Sequence, residues 1–197
     1  MKKSLLVLLL TPVLCFSQGK KESSVEKKGP SIQVGGGYLF YPGSSGDVHI
    51  ANNYSNNPLK SGFTLELTAY QPVNSFLSLG LGSSFNHFQN LGAPYIPVFA
   101  DIRVIGVGKY QLFSFLDPGY GILNHSFLYA APSGPPESEK LTVGFYIAYG
   151  FGVLYKIFYL QAKYNWFRFT NTPPGVPGEK TSKAYGVAGI TFGVRLP

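Results

Sequence analysis

The chain of 197 residues is poor in cysteine, in acidic side chains and in apolar runs long enough to cross a bilayer as a helix. Its one cysteine, Cys15, ends an N-terminal apolar stretch. If that stretch is removed, the mature chain has no disulfide and no thiol chemistry. The apolar run Leu5 to Leu14 is far shorter than the roughly 20 residues a spanning helix needs. Asp and Glu together number 9 against 16 Lys and Arg, a formal net charge of +7 to which Lys2 and Lys3 contribute. A basic chain can point to nucleic acid, but these lysines are spread over leader, turns and loops. With no basic helix or RNA-binding motif, surface lysines that meet acidic lipopolysaccharide or anionic headgroups are the plainer reading. What is abundant is aromatic residues, at 16%, with 24 glycines and 15 prolines, a mixture of strand and turn formers that favours an all-β chain.

Met1-Lys2-Lys3, the apolar run and Cys15-Phe16-Ser17 have the layout of a signal peptide, with cleavage before Gln18. Cys15 brings lipid attachment to mind, but Leu14 before it is bulkier than such processing favours. Residues 1–17 are therefore expected to leave as a signal peptide. Residues 18–30 carry Lys20, Lys21, Glu22, Glu26, Lys27 and Lys28 and few apolar groups. They read as a disordered periplasmic leader, which leaves 31–197 as one domain.

Within that domain, apolar and polar residues alternate. Phe63, Leu65, Leu67 and Ala69 alternate with Thr64, Glu66 and Thr68; leucines from Leu77 to Leu81 alternate with Ser and Gly. Ile96, Val98, Ala100, Ile102 and Val104 alternate with Pro97, Phe99, Asp101, Arg103 and Ile105. Phe145 to Val153, Leu160 to Phe167 and Gly189 to Leu196 repeat the scheme, with glycine facing a crowded side. Period two places the two sets on opposite faces of strands. Segments Ile32 to Phe40 and Tyr110 to Ile122 alternate less cleanly.

Eight such segments are separated by gaps that alternate long and short. The long, polar gaps are Gly43 to Lys60, Asn86 to Pro94, Asn124 to Lys140 and Asn171 to Ser182; the short ones are Pro72 to Ser75, Gly106 to Lys109 and Lys156-Ile157. Segments of about ten residues match a tilted strand crossing hydrocarbon, and tight turns on one side with larger loops on the other match an outer-membrane barrel. Tyr38, Phe40, Tyr41, Tyr70, Phe85, Tyr155, Phe158, Trp166 and Phe167 near segment ends are expected as interfacial rings. In hydrocarbon every backbone polar group must be paired, so the sheet is expected to close into an eight-stranded antiparallel up-and-down transmembrane barrel. Such a barrel is wide enough for side chains to fill. Glu66, Asp101, Arg103, Gln161, Lys163 and Arg195 would then point inward as a structural polar core.

The signal ending Ser17-Gln18, the strand Tyr95 to Arg103, the strand Phe115-Leu116-Asp117-Pro118-Gly119-Tyr120-Gly121 and the glycine-aromatic hairpin Val143 to Trp166 resemble the small porin-like outer-membrane β-barrels of Gram-negative bacteria. The likeness runs from Ser31 to the C-terminus and is strongest at Pro97 to Arg103. The final strand, with Gly189, Phe192 and Val194, looks like the signal read by the outer-membrane assembly machinery. It departs from the usual pattern by ending Leu196-Pro197 rather than on an aromatic residue. The resemblance implies a monomeric integral barrel whose members serve varied roles.

Candidate chemistry is sparse. His125-Ser126 and Ser84 near His87 are the His and Ser combinations a rim hydrolase would use, but no acid stands behind either. His49, His87 and His125 lack metal-ligand spacing. Gly35-Gly36-Gly37 opens no helix and is not a phosphate loop. No catalytic residue, cofactor or metal is therefore expected. The expected function is a non-enzymatic outer-membrane barrel in contact with membrane lipid and lipopolysaccharide, acting through loops such as Gly43 to Lys60 and Ser133 to Lys140. The alternatives are a soluble exported barrel with an apolar ligand inside and a rim hydrolase. The first of these reverses the two faces, with Leu65, Leu79, Ile102 and Phe192 turned inward.

Overall fold

The computed structural model describes residues 29–41, 61–89, 94–122, 124–129, 137–172 and 181–197. The signal peptide, Cys15, nearly all of the leader and the Gly43 to Lys60 loop with His49 lie outside the described residues.

Among the described residues nine strand segments follow one another: β1 Ser31–Phe40, β2 Gly62–Pro72, β3 Leu77–Phe88, β4 Ile96–Ile105, β5 Tyr110–Ile122, β6 Asn124–Tyr129, β7 Glu137–Tyr155, β8 Phe158–Thr172 and β9 Thr181–Leu196. Every pairing is antiparallel; β1 joins β9 and β5 joins β7. β6 continues the line of β5 along the upper part of β7, from Asn124↔Thr142 to Tyr129↔Glu137. The wall is thus eight strands wide and closed, with no edge along its length.

The sequence decides which face is which. Along β2, Phe63, Leu65, Leu67 and Ala69 are exposed while Gly62, Thr64, Glu66, Thr68 and Tyr70 are buried. The same sense holds in β1, β3, β4 and β9, where Val34, Leu81, Ile102 and Phe192 look outward; Leu81 is 72% exposed. An apolar exterior around a polar interior is the arrangement for hydrocarbon, and it rules out the soluble barrel, whose greasy face would line the inside. The two segments with unclear alternation follow the others: Gln33 on β1 and Phe113, Phe115 and Asp117 on β5 are buried.

Two readings of the sequence are corrected. Asn124 to Lys140 is not one long loop, because Asn124–Tyr129 and Glu137–Lys140 are paired strand. Likewise β3 runs on through Phe88. The second correction concerns the rings. Tyr70 and Phe167 face the interior, and Tyr41 packs against the interior cluster, whereas Tyr38, Phe40, Phe85 and Phe158 are exposed on the wall. A ring near a strand end belongs to the interface only if its position has the outward parity.

Short turns close the other end. Asn74 Oδ1 accepts the backbone N–H groups of Phe76 at 3.0 Å and Leu77 at 2.7 Å, an Asx-type turn between β2 and β3. Gly108, at φ 129°, serves the turn from β4 to β5, and Lys156, at φ 55°, the turn from β7 to β8.

Candidate functional site

The site that the fold builds is the barrel interior, which is layered. Toward the turn end, Arg103 of β4 donates to Gln33 Oε1 of β1 at 2.7 Å and to Asp101 Oδ2 at 2.9 Å, and Tyr70 OH of β2 donates to the same Asp101 oxygen at 2.6 Å. The guanidinium lies 4.5 Å from the Tyr70 ring centroid and 4.4 Å from that of Phe113, so rings cover it where carboxylates do not. Asp117 on β5 is buried beside Asp101 and Arg103. Below them Arg195 Nε donates to Ser31 Oγ at 2.8 Å, and its guanidinium stands 5.2 Å from Tyr70. Phe113, Phe115, Leu154 and Tyr159 form a buried apolar cluster at this level.

A second network crosses the lumen from β2 to β8. Gln161 Nε2 donates to Glu66 Oε2 at 2.7 Å, and Lys163 Nζ is ion-paired with Glu66 Oε1. A third cluster lies toward the loop end. Tyr146 OH donates to Asn165 Oδ1 at 2.9 Å, and Asn165 Nδ2 donates to the Val187 carbonyl at 3.3 Å. Around them Phe88 stacks on Tyr95 at 6.0 Å, Tyr95 meets Phe167 at 4.8 Å, and Phe167 meets Tyr185 at 6.0 Å. With Leu39, Phe99 and Val187 these rings make a buried aromatic cluster.

Glycine on the opposite strands makes room for the rings. A Cβ on Gly82 would sit 2.6 Å from Phe99 Cε2, and one on Gly193 would sit 2.6 Å from Tyr159 Cε1.

Glu66, Asp101, Arg103, Gln161 and Lys163 are all buried, in two separate networks, while Arg195 is half-buried at the turn end. Sequence reasoning missed Gln33, Tyr70, Asp117, Tyr146 and Asn165. Parity could have found Asn165, which alternates with Trp166 on a clean strand. Asp117 was hidden by the Pro118-Gly119 that follows it.

Ser84 is buried inside, where its Oγ accepts from Asn86 Nδ2 at 2.8 Å. His87 lies on the outer face, 5.4 Å from the Phe63 ring. A base on the lipid side cannot reach a hydroxyl in the lumen, so Ser84 and His87 are not a nucleophile and its base. His125 and Ser126 are consecutive positions on β6.

No protein-family model matches the chain, and no curated protein matches its sequence. Among solved structures, the outer membrane protein OprG from Pseudomonas aeruginosa is similar over 89% of this chain and 99% of its own, at 15% identity and a TM-score of 0.52. The outer membrane protein AlkL, solved in lipid bilayers, matches over 91% and 95% at 11% identity and a TM-score of 0.45. The Yersinia pestis outer membrane protein Ail matches over 86% and 100% at 16% identity and a TM-score of 0.34. The OprG likeness shows a shared fold, that of a small outer-membrane barrel. That fold, with an apolar wall around the whole cylinder, places this protein in an outer membrane.

Proposed function

We propose that the protein is a closed, non-enzymatic, monomeric barrel whose interior is a structural core and whose interactions are made by its outward loops and its lipid-facing wall. The observation that carries this reading is the placement of Arg103. It is held by Gln33 from β1 and Asp101 from β4, covered by the Tyr70 and Phe113 rings, and so occupies the lumen with side chains from several strands. The Glu66, Gln161 and Lys163 crossbar and the Tyr95, Phe167 and Tyr185 cluster fill two further levels. An eight-stranded barrel has room for such side chains and little else. Membrane lipid and lipopolysaccharide are then the partners of the wall and loops, and the final strand with Gly189, Phe192 and Val194 is the segment offered to the assembly machinery.

The test is electrical. Purified barrel reconstituted in a planar lipid bilayer is expected to give no steady ion conductance, while its folded state is confirmed by a gel mobility that changes on boiling. A stable, reproducible conductance from that folded protein would overturn the closed-core reading.

A further inference from the structure

The turn end of the wall carries an arrangement that a packed lumen does not need. Pairing of β5 with β7 sets Tyr110 opposite Tyr155, and their rings stack at 5.0 Å and 22°. Tyr110 is 60% exposed, and Tyr155 shares the outward parity of Phe151 and Val153, so the stack faces the bilayer and not the lumen. Lys109, from the turn between β4 and β5, has its ammonium 5.6 Å from the Tyr110 centroid and 5.7 Å from that of Tyr155. Lys156, from the turn between β7 and β8, has its ammonium 5.6 Å from the same Tyr155 centroid. Two hairpins far apart in sequence thus bring two cations onto one ring.

We propose that Lys109 and Lys156, on the Tyr110–Tyr155 platform, bind the phosphate of an anionic phospholipid in the leaflet that surrounds the turn end. Three further observations support that ligand. Residues 73–76, 106–109 and 156–157, which make the turns, include no Asp or Glu, so no carboxylate there competes for the two ammoniums. Lys156 holds a left-handed φ of 55°, a conformation glycine adopts freely and a side chain does not, so a lysine stands where the backbone alone would favour glycine. The turns also present Val107 and Ile157 as exposed apolar side chains. Apolar tips beside lysines suit a headgroup layer, where the tips reach acyl chains and the ammoniums reach phosphate. A free anion would need no apolar rim and no platform facing the bilayer.

Native mass spectrometry of the detergent-released barrel, offered phosphatidylglycerol or phosphatidylcholine, tests the site. The wild type is expected to retain phosphatidylglycerol in preference. The double variant K109Q/K156Q should lose that preference by about fivefold for each lysine removed, and K109R/K156R should keep it. Gel mobility before boiling confirms that each variant is folded; if the double variant does not fold, K109Q, which leaves the left-handed position untouched, carries the test. Equal retention of the two lipids by the wild type, or an unchanged preference in a folded K109Q variant, would overturn the proposal. Displacement of phosphatidylglycerol by inorganic phosphate would also overturn it, by assigning the site to a free anion. Conductance plays no part in this readout, so its outcome is separate from that of the closed-core reading.

Discussion

Glu66 receives Gln161 and the ammonium of Lys163 from the far side of the lumen, and each of these side chains is buried. Removing the cation alone leaves a carboxylate in a low-dielectric interior with one neutral donor. Lys163→Met is therefore expected to destabilise the barrel by about 3–5 kcal/mol, while the double change Glu66→Met with Lys163→Met should recover most of that loss, because no charge is left unpaired. Urea unfolding of the micelle-embedded protein, followed by gel mobility, checks both; a double variant no more stable than the single one would show that the pair is not the source of the loss. These residues were legible because Glu66, Arg103 and Lys163 sit on strands that alternate without interruption. Tyr70 was not: an aromatic residue close to a strand end has the composition of an interfacial ring, and only its parity sends it inward to Asp101. Asp117 was lost because the Pro118-Gly119 beside it obscures the period.

At the level of strands, the interior rings need bare backbone opposite them. Gly82 on β3 faces Phe99 so closely that an added methyl would meet both that ring and Thr68 Oγ1 at 2.6 Å. Gly82→Ala is expected to cost about 1–3 kcal/mol through overpacking, seen as a lower urea midpoint with unchanged secondary structure. A variant as stable as the wild type would mean that the Phe99 ring can move aside. The strand ends explain why Asn124 to Lys140 reads as a loop in sequence and pairs as strand in the fold. Glu137–Lys140 is wholly polar and Asn124-His125-Ser126 opens β6, so the alternation is lost there while backbone pairing continues. The change of partner along β7 from β5, at Tyr120↔Phe145, to β6, at Asn124↔Thr142, and the shift in the pairing of β7 with β8 between Val143 and Tyr146 fall at the same height. Replacing residues 125–141 with a tight turn is thus expected to leave a folded barrel that still changes mobility on boiling.

For the whole molecule, the apolar wall sets what a charge costs at each depth. Leu81, at mid-height on β3, is the most exposed large apolar side chain among the described residues, and Leu81→Arg should cost about 2–4 kcal/mol, while Val107→Arg at the turn should cost about 0–1 kcal/mol. Liposome folding yields and urea midpoints of the two variants measure the difference; equal penalties would place the lipid boundary elsewhere. Closure, strand number and the lipid-facing parity of the cleanly alternating strands were readable from gap lengths and period, since they follow directly from what hydrocarbon demands of a backbone. The arrangement at the turn end was not, because Lys109 and Lys156 meet only when β5 pairs with β7, and no local pattern announces that pairing.

The interior crossbars join strands that are not neighbours in the wall: β1 to β4 through Gln33 and Arg103, and β2 to β8 through Glu66, Gln161 and Lys163. A sheet that has not yet curled holds Glu66 away from Lys163 and Gln161, and Arg103 away from Gln33, leaving Arg103 only Asp101 of its own strand. Only completion of the cylinder joins them, so the contacts that fill the lumen weigh toward the closed barrel over an open sheet.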